Sequence, residues 1–309
     1  MKYISILISA LLIFNACKHN SSKVETGALK KAEYLQVSNA QYQLAKLGSR
    51  PNAVLVLFGG FAEDAEDIQR EFKILDPAKA HKVALVFSNY NQKLWLEENE
   101  AEQLAKQLLE IVDDNKLPKD NLYLGGFSSG GNVALLIGDY LSGNAAIGLK
   151  PKGVFIVDAP VDLAELYLSA EKNIERGFSE PSIQESTWLM ASLGNRFGDP
   201  RERLTEYEAH SVFTLKSGNT DNIKHLKNTK IRMYTEPDTL WWKANRRADY
   251  EQLNAYHIKK LAEQLNRQGF KKVAYIPTQN SGYRANGERH PHSWAIVKTD
   301  DLIKWMLEE

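Results

Sequence analysis

From residue 53 onward, short apolar runs alternate with amphipathic helical patterns, and this alternation limits the possible folds more than any other property of the chain. Six runs are apolar enough to predict strands that are buried on both faces. They are Ala53 to Phe58, Val83 to Ser88, Asn121 to Gly125, Gly153 to Val157, Ile231 to Tyr234 and Lys272 to Ile276. Between them, apolar residues recur at helical spacing, as at Leu104, Leu108 and Val112. The sequence therefore predicts an α/β fold in which a mostly parallel central sheet is flanked by helices.

One segment interrupts the alternation. Residues 162–229 lie between two predicted strands and are much longer than a simple crossover helix requires. The segment contains a capping box at Ser182 to Glu185, followed by the apolar residues Trp188 and Leu189. We interpret it as a helical insertion that caps a site, the alternative being a helical face with no role in substrate choice.

The charge and the cysteine content exclude several classes of function. The 39 Lys and Arg residues balance the 39 Asp and Glu residues, so the chain has no general attraction for polyanions and a nucleic-acid partner is not expected. A single Cys can form neither an internal disulfide nor a thiolate-rich metal site.

The N-terminal residues predict export. An apolar run from Ile4 to Phe14 follows Lys2 and is too short to cross a hydrocarbon core of roughly 30 Å. It ends in Phe14-Asn15-Ala16-Cys17, which resembles the lipobox of bacterial lipoproteins, where the Cys is acylated and becomes the mature N-terminus. We expect a signal peptide at 1–17, a flexible tether at 18–30 and the α/β domain at 31–309, lipid-anchored at Cys17 on the periplasmic or outer side of the bacterial envelope. The alternative is an ordinary cleaved signal peptide with an incidental Cys.

The strongest chemical signal is Gly126-Phe127-Ser128-Ser129-Gly130, between a predicted strand and a predicted helix. So tight a turn forces its central residue into a strained backbone conformation, and the glycines let the neighbouring elements approach. Ser128 is thereby exposed as a nucleophile, and the helix start directs free N–H groups towards it. A phosphate-binding loop is the alternative, but no Gly-Lys-Ser/Thr ending follows.

On the basis of the Gly126 to Gly130 motif, the chain from about residue 53 to its C-terminus resembles the α/β-hydrolase superfamily, in particular its serine esterases and lipases. The resemblance implies the α/β-hydrolase fold, with an acid and then a His in loops after later strands. In Thr235-Glu236-Pro237-Asp238, which follows a predicted strand, Asp238 is the expected acid. Glu236, Asp158 and Asp162 are the alternatives.

The expected general base is His292 in Arg289-His290-Pro291-His292-Ser293-Trp294, because family members often place it in a His-x-Trp sequence before the last helix. His290 is the alternative. Two such histidines can also form part of a metal site, but the sequence offers neither further Cys ligands nor a second His pair, so no metal is expected.

The resemblance also implies an oxyanion hole of two backbone N–H groups. One belongs to Ser129. The other belongs to Gly60 or Phe61, in the turn Phe58-Gly59-Gly60-Phe61 that is similar to the family's His-Gly turn.

These residues predict a serine hydrolase, in the first place a carboxylic-ester hydrolase that acts on a small acyl substrate through an acyl-enzyme and needs no cofactor. The only membrane contact expected is the lipid anchor. A serine peptidase or an acyltransferase is the first alternative, because one triad serves all three reactions. A lipoprotein with the same fold that binds a ligand without catalysis is the second.

Overall fold

A computed structural model of the protein describes residues 34–48 and 50–308. The predicted signal peptide at 1–17, which includes Cys17, and the predicted tether at 18–30 lie outside the described residues. None of the helices within the described ranges is long and apolar enough to cross a membrane.

Eight strands form one sheet in the order β1-β2-β4-β3-β5-β6-β7-β8. They are β1 (Tyr34–Ser38), β2 (Tyr42–Leu47), β3 (Ala53–Phe58), β4 (Val83–Ser88), β5 (Leu122–Phe127), β6 (Pro151–Val157), β7 (Lys230–Thr235) and β8 (Val273–Pro277). Strands β3 to β8 are parallel, whereas β1 and β2 are antiparallel to their neighbours. The predicted mostly parallel sheet is confirmed. The sequence did not predict β1 and β2, because neither is a continuous apolar run: β1 is an exposed edge strand, and Gln43 and Lys46 interrupt the apolar residues of β2.

Helices cover both faces of the sheet. The α-helices in the described part of the chain are α1 (Ala65–Glu71), α2 (Leu75–Ala80), α3 (Glu98–Asp114), α4 (Ser129–Gly143), α5 (Leu163–Arg176), α6 (Glu180–Phe197), α7 (Leu204–Glu208), α8 (Thr239–Arg246), α9 (Asn254–Arg267) and α10 (Thr299–Leu307). In β3, Val54 and Val56 share a core with residues of α3, α4 and α9, while Leu55 and Leu57 share a second core with residues of α1, α2 and α10. Because helices cover both faces of the sheet, we expect a binding site at the ends of the strands.

The segment predicted as an insertion contains α5, α6 and α7. These helices share a small core of their own, to which Leu163, Leu193, Phe197 and Tyr207 contribute. The insertion is therefore helical, as expected.

The register of the central strands aligns the carboxyl ends of β5, β6 and β7. Phe127 at the end of β5 pairs with Val157 at the end of β6, which pairs with Tyr234 near the end of β7. The Ser128 N–H donates to the Val157 carbonyl at 2.9 Å, and the Asp158 N–H donates to the Tyr234 carbonyl at 2.8 Å. Ser128 and Asp158 therefore leave adjacent strands side by side.

Candidate active site

Ser128 occupies a strained turn between β5 and α4. Its backbone angles are φ 51° and ψ −127°, a conformation that costs a non-glycine residue about 1–3 kcal/mol. Its side chain is partly exposed, although Phe127 and Ser129 on either side are buried. The turn thus presents the Ser128 hydroxyl at the carboxyl end of the sheet.

The two glycines of the motif are required by packing. A Cβ atom on Gly126 would lie 2.0 Å from the carbonyl oxygen of Gly130, and a Cβ on Gly130 would lie 2.3 Å from the carbonyl oxygen of Gly59. Both contacts are with backbone, which cannot move aside as a flexible side chain can. The close approach of strand and helix that the sequence motif predicts is therefore present.

Asp158 is the carboxylate that contacts His292. Its Oδ2 lies 2.6 Å from His292 Nδ1, and its Oδ1 accepts a hydrogen bond from the Thr235 hydroxyl at 2.6 Å. The Asp158 side chain is only 4% exposed, and Asn254 Nδ2 donates to its backbone carbonyl at 2.8 Å. With both oxygens engaged, the carboxylate is fixed against the imidazole ring and favours the His292 tautomer that carries its proton on Nδ1.

The structure corrects the assignment of Asp238 as the acid. Asp238 Oδ2 accepts from Arg289 Nη2 at 2.6 Å, and its Oδ1 accepts from the Trp241 N–H at 2.9 Å, so that Asp238 caps the start of α8. Neither oxygen bonds to His292. The acid contacting His292 is instead Asp158, one of the alternatives that the sequence left open.

The two remaining alternatives are also engaged elsewhere. Glu236 is 2% exposed and accepts from Arg289 and from the N–H groups of Ser281 and Gly282, which fixes the loop that leads to the histidines. Asp162 caps α5, and burial raises the pKa of its carboxyl to about 7. These carboxylates shape the structure around the site.

Of the two candidate histidines, only His292 contacts a carboxylate at the site. His290 packs against Trp241 at 4.7 Å between ring centroids, and its buried Nδ1 has no hydrogen-bond partner in the part of the chain that is described. Burial lowers the pKa of His290 to about 3, and repulsion by neighbouring basic groups, among them Arg284 and Arg246, adds to this effect. So low a pKa makes His290 a weak base, whereas Asp158 holds His292 in the cavity that contains Ser128.

The predicted oxyanion donors differ in whether their N–H groups already donate a hydrogen bond. The Gly60 N–H donates to Glu63 Oε2 at 2.8 Å and is therefore already used, which corrects its assignment. The N–H groups of Phe61 and Ser129 donate to no acceptor among residues 34–48 and 50–308. Phe61 and Ser129 also line the cavity that contains Ser128. They are the donors that the structure leaves free.

Glu63 is a residue that the sequence analysis missed. Its Oε2 accepts hydrogen bonds from Gly60 and from Trp294 Nε1, the latter at 3.2 Å, and so links the turn after β3 to the segment after His292. Burial raises the pKa of the Glu63 carboxyl, although both hydrogen bonds favour its charged form. No local pattern could have identified it, since Trp294 is 231 residues away in sequence.

Ser128, Asp158 and His292 line one cavity of 280 Å³, near the lower limit for small-molecule sites. Helices α5 and α6 of the insertion form one wall, and the rings of Phe61 and Trp188 pack together at 4.2 Å. Within the described ranges, no three His, Cys, Asp or Glu side chains are arranged to hold a metal ion.

A larger depression of 980 Å³ lies at the opposite end of the strands. It is lined by residues where strands begin, among them Asn121, Pro151 and Lys230, and by none of the predicted site residues. Ligands of open α/β sheets bind at the carboxyl ends of the strands. The cavity at Ser128 is therefore the candidate active site.

Among the solved structures that are similar to this chain are three esterases. Carboxyl esterase 2 from the mycorrhizal fungus Tuber melanosporum is 14% identical, with a TM-score of 0.53 over 89% of this chain and 84% of that chain. EstE5, in a crystal soaked with p-nitrophenyl butyrate, is 14% identical, with a TM-score of 0.52 over 92% and 88%. An esterase/lipase from an uncultured bacterium is 13% identical, with a TM-score of 0.51 over 90% and 85%.

No family model matches the sequence, and no curated protein matches it either. At identities this low, structural similarity establishes the fold alone. Together with the strand order, it shows that the chain has the α/β-hydrolase fold, as the sequence resemblance predicted.

Proposed function

We propose that this chain is a serine hydrolase that cleaves carboxylic esters of small molecules. The observation that carries the proposal is the strained Ser128 turn in the same cavity as the hydrogen-bonded pair of His292 and Asp158. The description of the similar solved structures as esterases supports an ester as the substrate.

In the proposed mechanism, His292 Nε2 accepts the Ser128 hydroxyl proton while Ser128 Oγ attacks the carbonyl carbon of the ester. The N–H groups of Phe61 and Ser129 donate to the oxygen that becomes negatively charged. The tetrahedral intermediate then expels the alcohol, which takes the proton from His292 and leaves an acyl group on Ser128. Water, deprotonated by His292, hydrolyses this acyl-enzyme and releases the acid.

Asp158 has two tasks in this cycle. Its contact with His292 Nδ1 keeps Nε2 free to accept the proton, and its charge stabilises the imidazolium that forms twice in each turnover. The Thr235 hydroxyl on its other oxygen prevents the carboxylate from rotating away.

Matched esters and amides provide the test of this proposal. We expect 4-nitrophenyl acetate and butyrate to be hydrolysed with kcat/KM at least about 100-fold above the matching 4-nitroanilides, since the alcohol leaves more readily than the amine. His292→Ala supplies the background rate for a correctly folded chain without the base. Ester hydrolysis no faster than in His292→Ala would overturn the proposal and favour a ligand-binding protein. Preferred cleavage of the anilides would indicate a peptidase.

Glu63 is predicted to act as a positioning residue. Glu63→Ala leaves Gly60 N–H and Trp294 Nε1 without an acceptor, so we expect a loss of stability of about 2–4 kcal/mol and a fall in kcat of about tenfold or more, as the turn carrying Phe61 loosens. Glu63→Gln keeps an oxygen that can accept from both donors and should restore stability and kcat to within about threefold. Denaturant unfolding and ester kinetics measure the two effects. Equal kcat in Glu63→Ala and the unmodified chain would refute the positioning role.

A further inference from the structure

We propose that the ester cleaved at Ser128 carries a carboxylate group, which Arg246 and Arg284 bind inside the cavity. The inference rests on the proposed function and extends it to a class of substrate. The juxtaposition that carries it is that of two arginine side chains lining the same cavity as Ser128 and His292, neither of them in an ion pair with the two carboxylates of that cavity.

Both arginines lie at the site. Arg246, the last residue of α8, and Arg284, in the segment between β8 and His292, line the cavity and are only partly exposed. The Arg284 guanidinium lies 5.9 Å from the centroid of the Phe127 ring, which itself lies 4.4 Å from the His292 ring. The charge of Arg284 is therefore within reach of a small molecule bound at Ser128.

Neither guanidinium forms an ion pair within the described residues, although the charge of Arg284 acts on the buried Glu63 carboxyl and favours its charged form. Across residues 34–48 and 50–308, no carboxylate forms an ion pair with Arg246 or with Arg284. Arg289, in the same segment as Arg284, provides the contrast, because Glu236 and Asp238 both bind its guanidinium. Removing a charge partly from water is unfavourable without a partner, and carboxylates are the partners that match the two-pronged guanidinium geometry.

The rest of the cavity wall contributes two acidic side chains, neither of which forms an ion pair with an arginine. Its acidic lining residues are Asp158, which is bound to His292, and Glu185, which is exposed on α6. His290 lies near both arginines and is kept neutral by burial.

Two pairs of esters that differ in one charge test the proposal. In the first pair, the charge is on the acyl side: 4-nitrophenyl hydrogen glutarate is compared with 4-nitrophenyl pentanoate. In the second, it is on the alcohol side: 4-acetoxybenzoate is compared with its methyl ester. We expect at least one anionic ester to have a kcat/KM about tenfold or more above that of its neutral partner, and the advantage to shrink as salt is added.

The arginine variants identify the source of any preference. Arg246→Gln and Arg284→Gln should each lower kcat/KM for the preferred anionic ester about tenfold more than for its neutral partner. Arg247→Gln is the matched control. Arg247 is adjacent in sequence, is exposed, packs on the Phe178 ring and lies outside the cavity, so its replacement should change neither value.

Three results would overturn the inference. The first is that the anionic and neutral esters of both pairs have equal kcat/KM. The second is that the arginine variants slow the neutral and anionic esters alike. Either result would show that the carboxylate site is absent, but would leave the proposed ester hydrolysis intact. If no ester is hydrolysed and a fluorophosphonate does not label Ser128, the proposed function fails and the inference fails with it.

Discussion

Replacing Ser128 by Ala is expected to lower kcat for 4-nitrophenyl butyrate by about 10⁶, equivalent to about 8 kcal/mol of transition-state stabilisation. The effect is large because the variant lacks the oxygen that forms the acyl-enzyme, and neither His292 nor the N–H donors can replace it. The loss should appear with little change in KM, since one hydroxyl contributes little to substrate binding.

The control for this variant is Ser142→Ala, which changes a serine on the same helix, α4, outside the cavity. Its kcat should stay within about twofold of that of the unmodified chain. A Ser128→Ala variant that retains more than about a thousandth of the original kcat would mean that another group is the nucleophile.

Replacing Asp158 by Asn is expected to lower kcat by about 10⁴, whereas Asp238→Asn should stay within about tenfold. The side-chain amide of the Asp158→Asn variant can present an N–H to His292 Nδ1, which favours the wrong tautomer and removes the charge that stabilises the imidazolium. Asp238 instead bonds to Arg289 and to the first turn of α8, and its loss should act mainly on stability.

Both variants are measured side by side, with thermal unfolding to confirm that each is folded. The two substitutions are chemically identical, so a difference in kcat reports the position of the carboxylate. If Asp238→Asn were the slower variant, the acid would be Asp238, as the sequence first suggested.

The parts of the structure that could be predicted from sequence are those that local rules determine. Strands β3 to β6 are buried almost throughout and therefore appear as apolar runs, whereas β1 is exposed and gives no such signal. Ser128 and the packing of Gly126 against Gly130 follow from the geometry of one tight turn. His292 lies in a short segment before the last helix, where only one other histidine competes.

The carboxylate that contacts His292 could not be chosen from sequence, because this contact depends on pairings between distant segments. Asp158 and Asp238 both follow strands, and either could lie beside the histidine. In the folded chain, Arg289 binds Asp238 and Glu236, whereas Asp158 contacts His292. A basic residue three positions before His292 was visible in the sequence, but which carboxylates it binds was not.

The same reason explains why the free N–H groups in the turn after β3 were predicted only in part. The sequence placed two candidate N–H groups at Gly60 and Phe61, but the use of the Gly60 N–H by Glu63 is a contact within the folded turn. The arginines of the cavity come from α8 and from the segment after β8, and nothing in either stretch indicates that both line the same cavity.

The central claim is that Ser128 is an activated nucleophile, and covalent labelling tests it most directly. The chain without residues 1–17 is treated with a fluorophosphonate, and the adduct is located by intact mass and peptide mapping, with Ser128→Ala as the control. We predict one adduct per chain, on Ser128, and none in the variant. A folded chain that takes up no label, or equal labelling of both proteins, would contradict the claim.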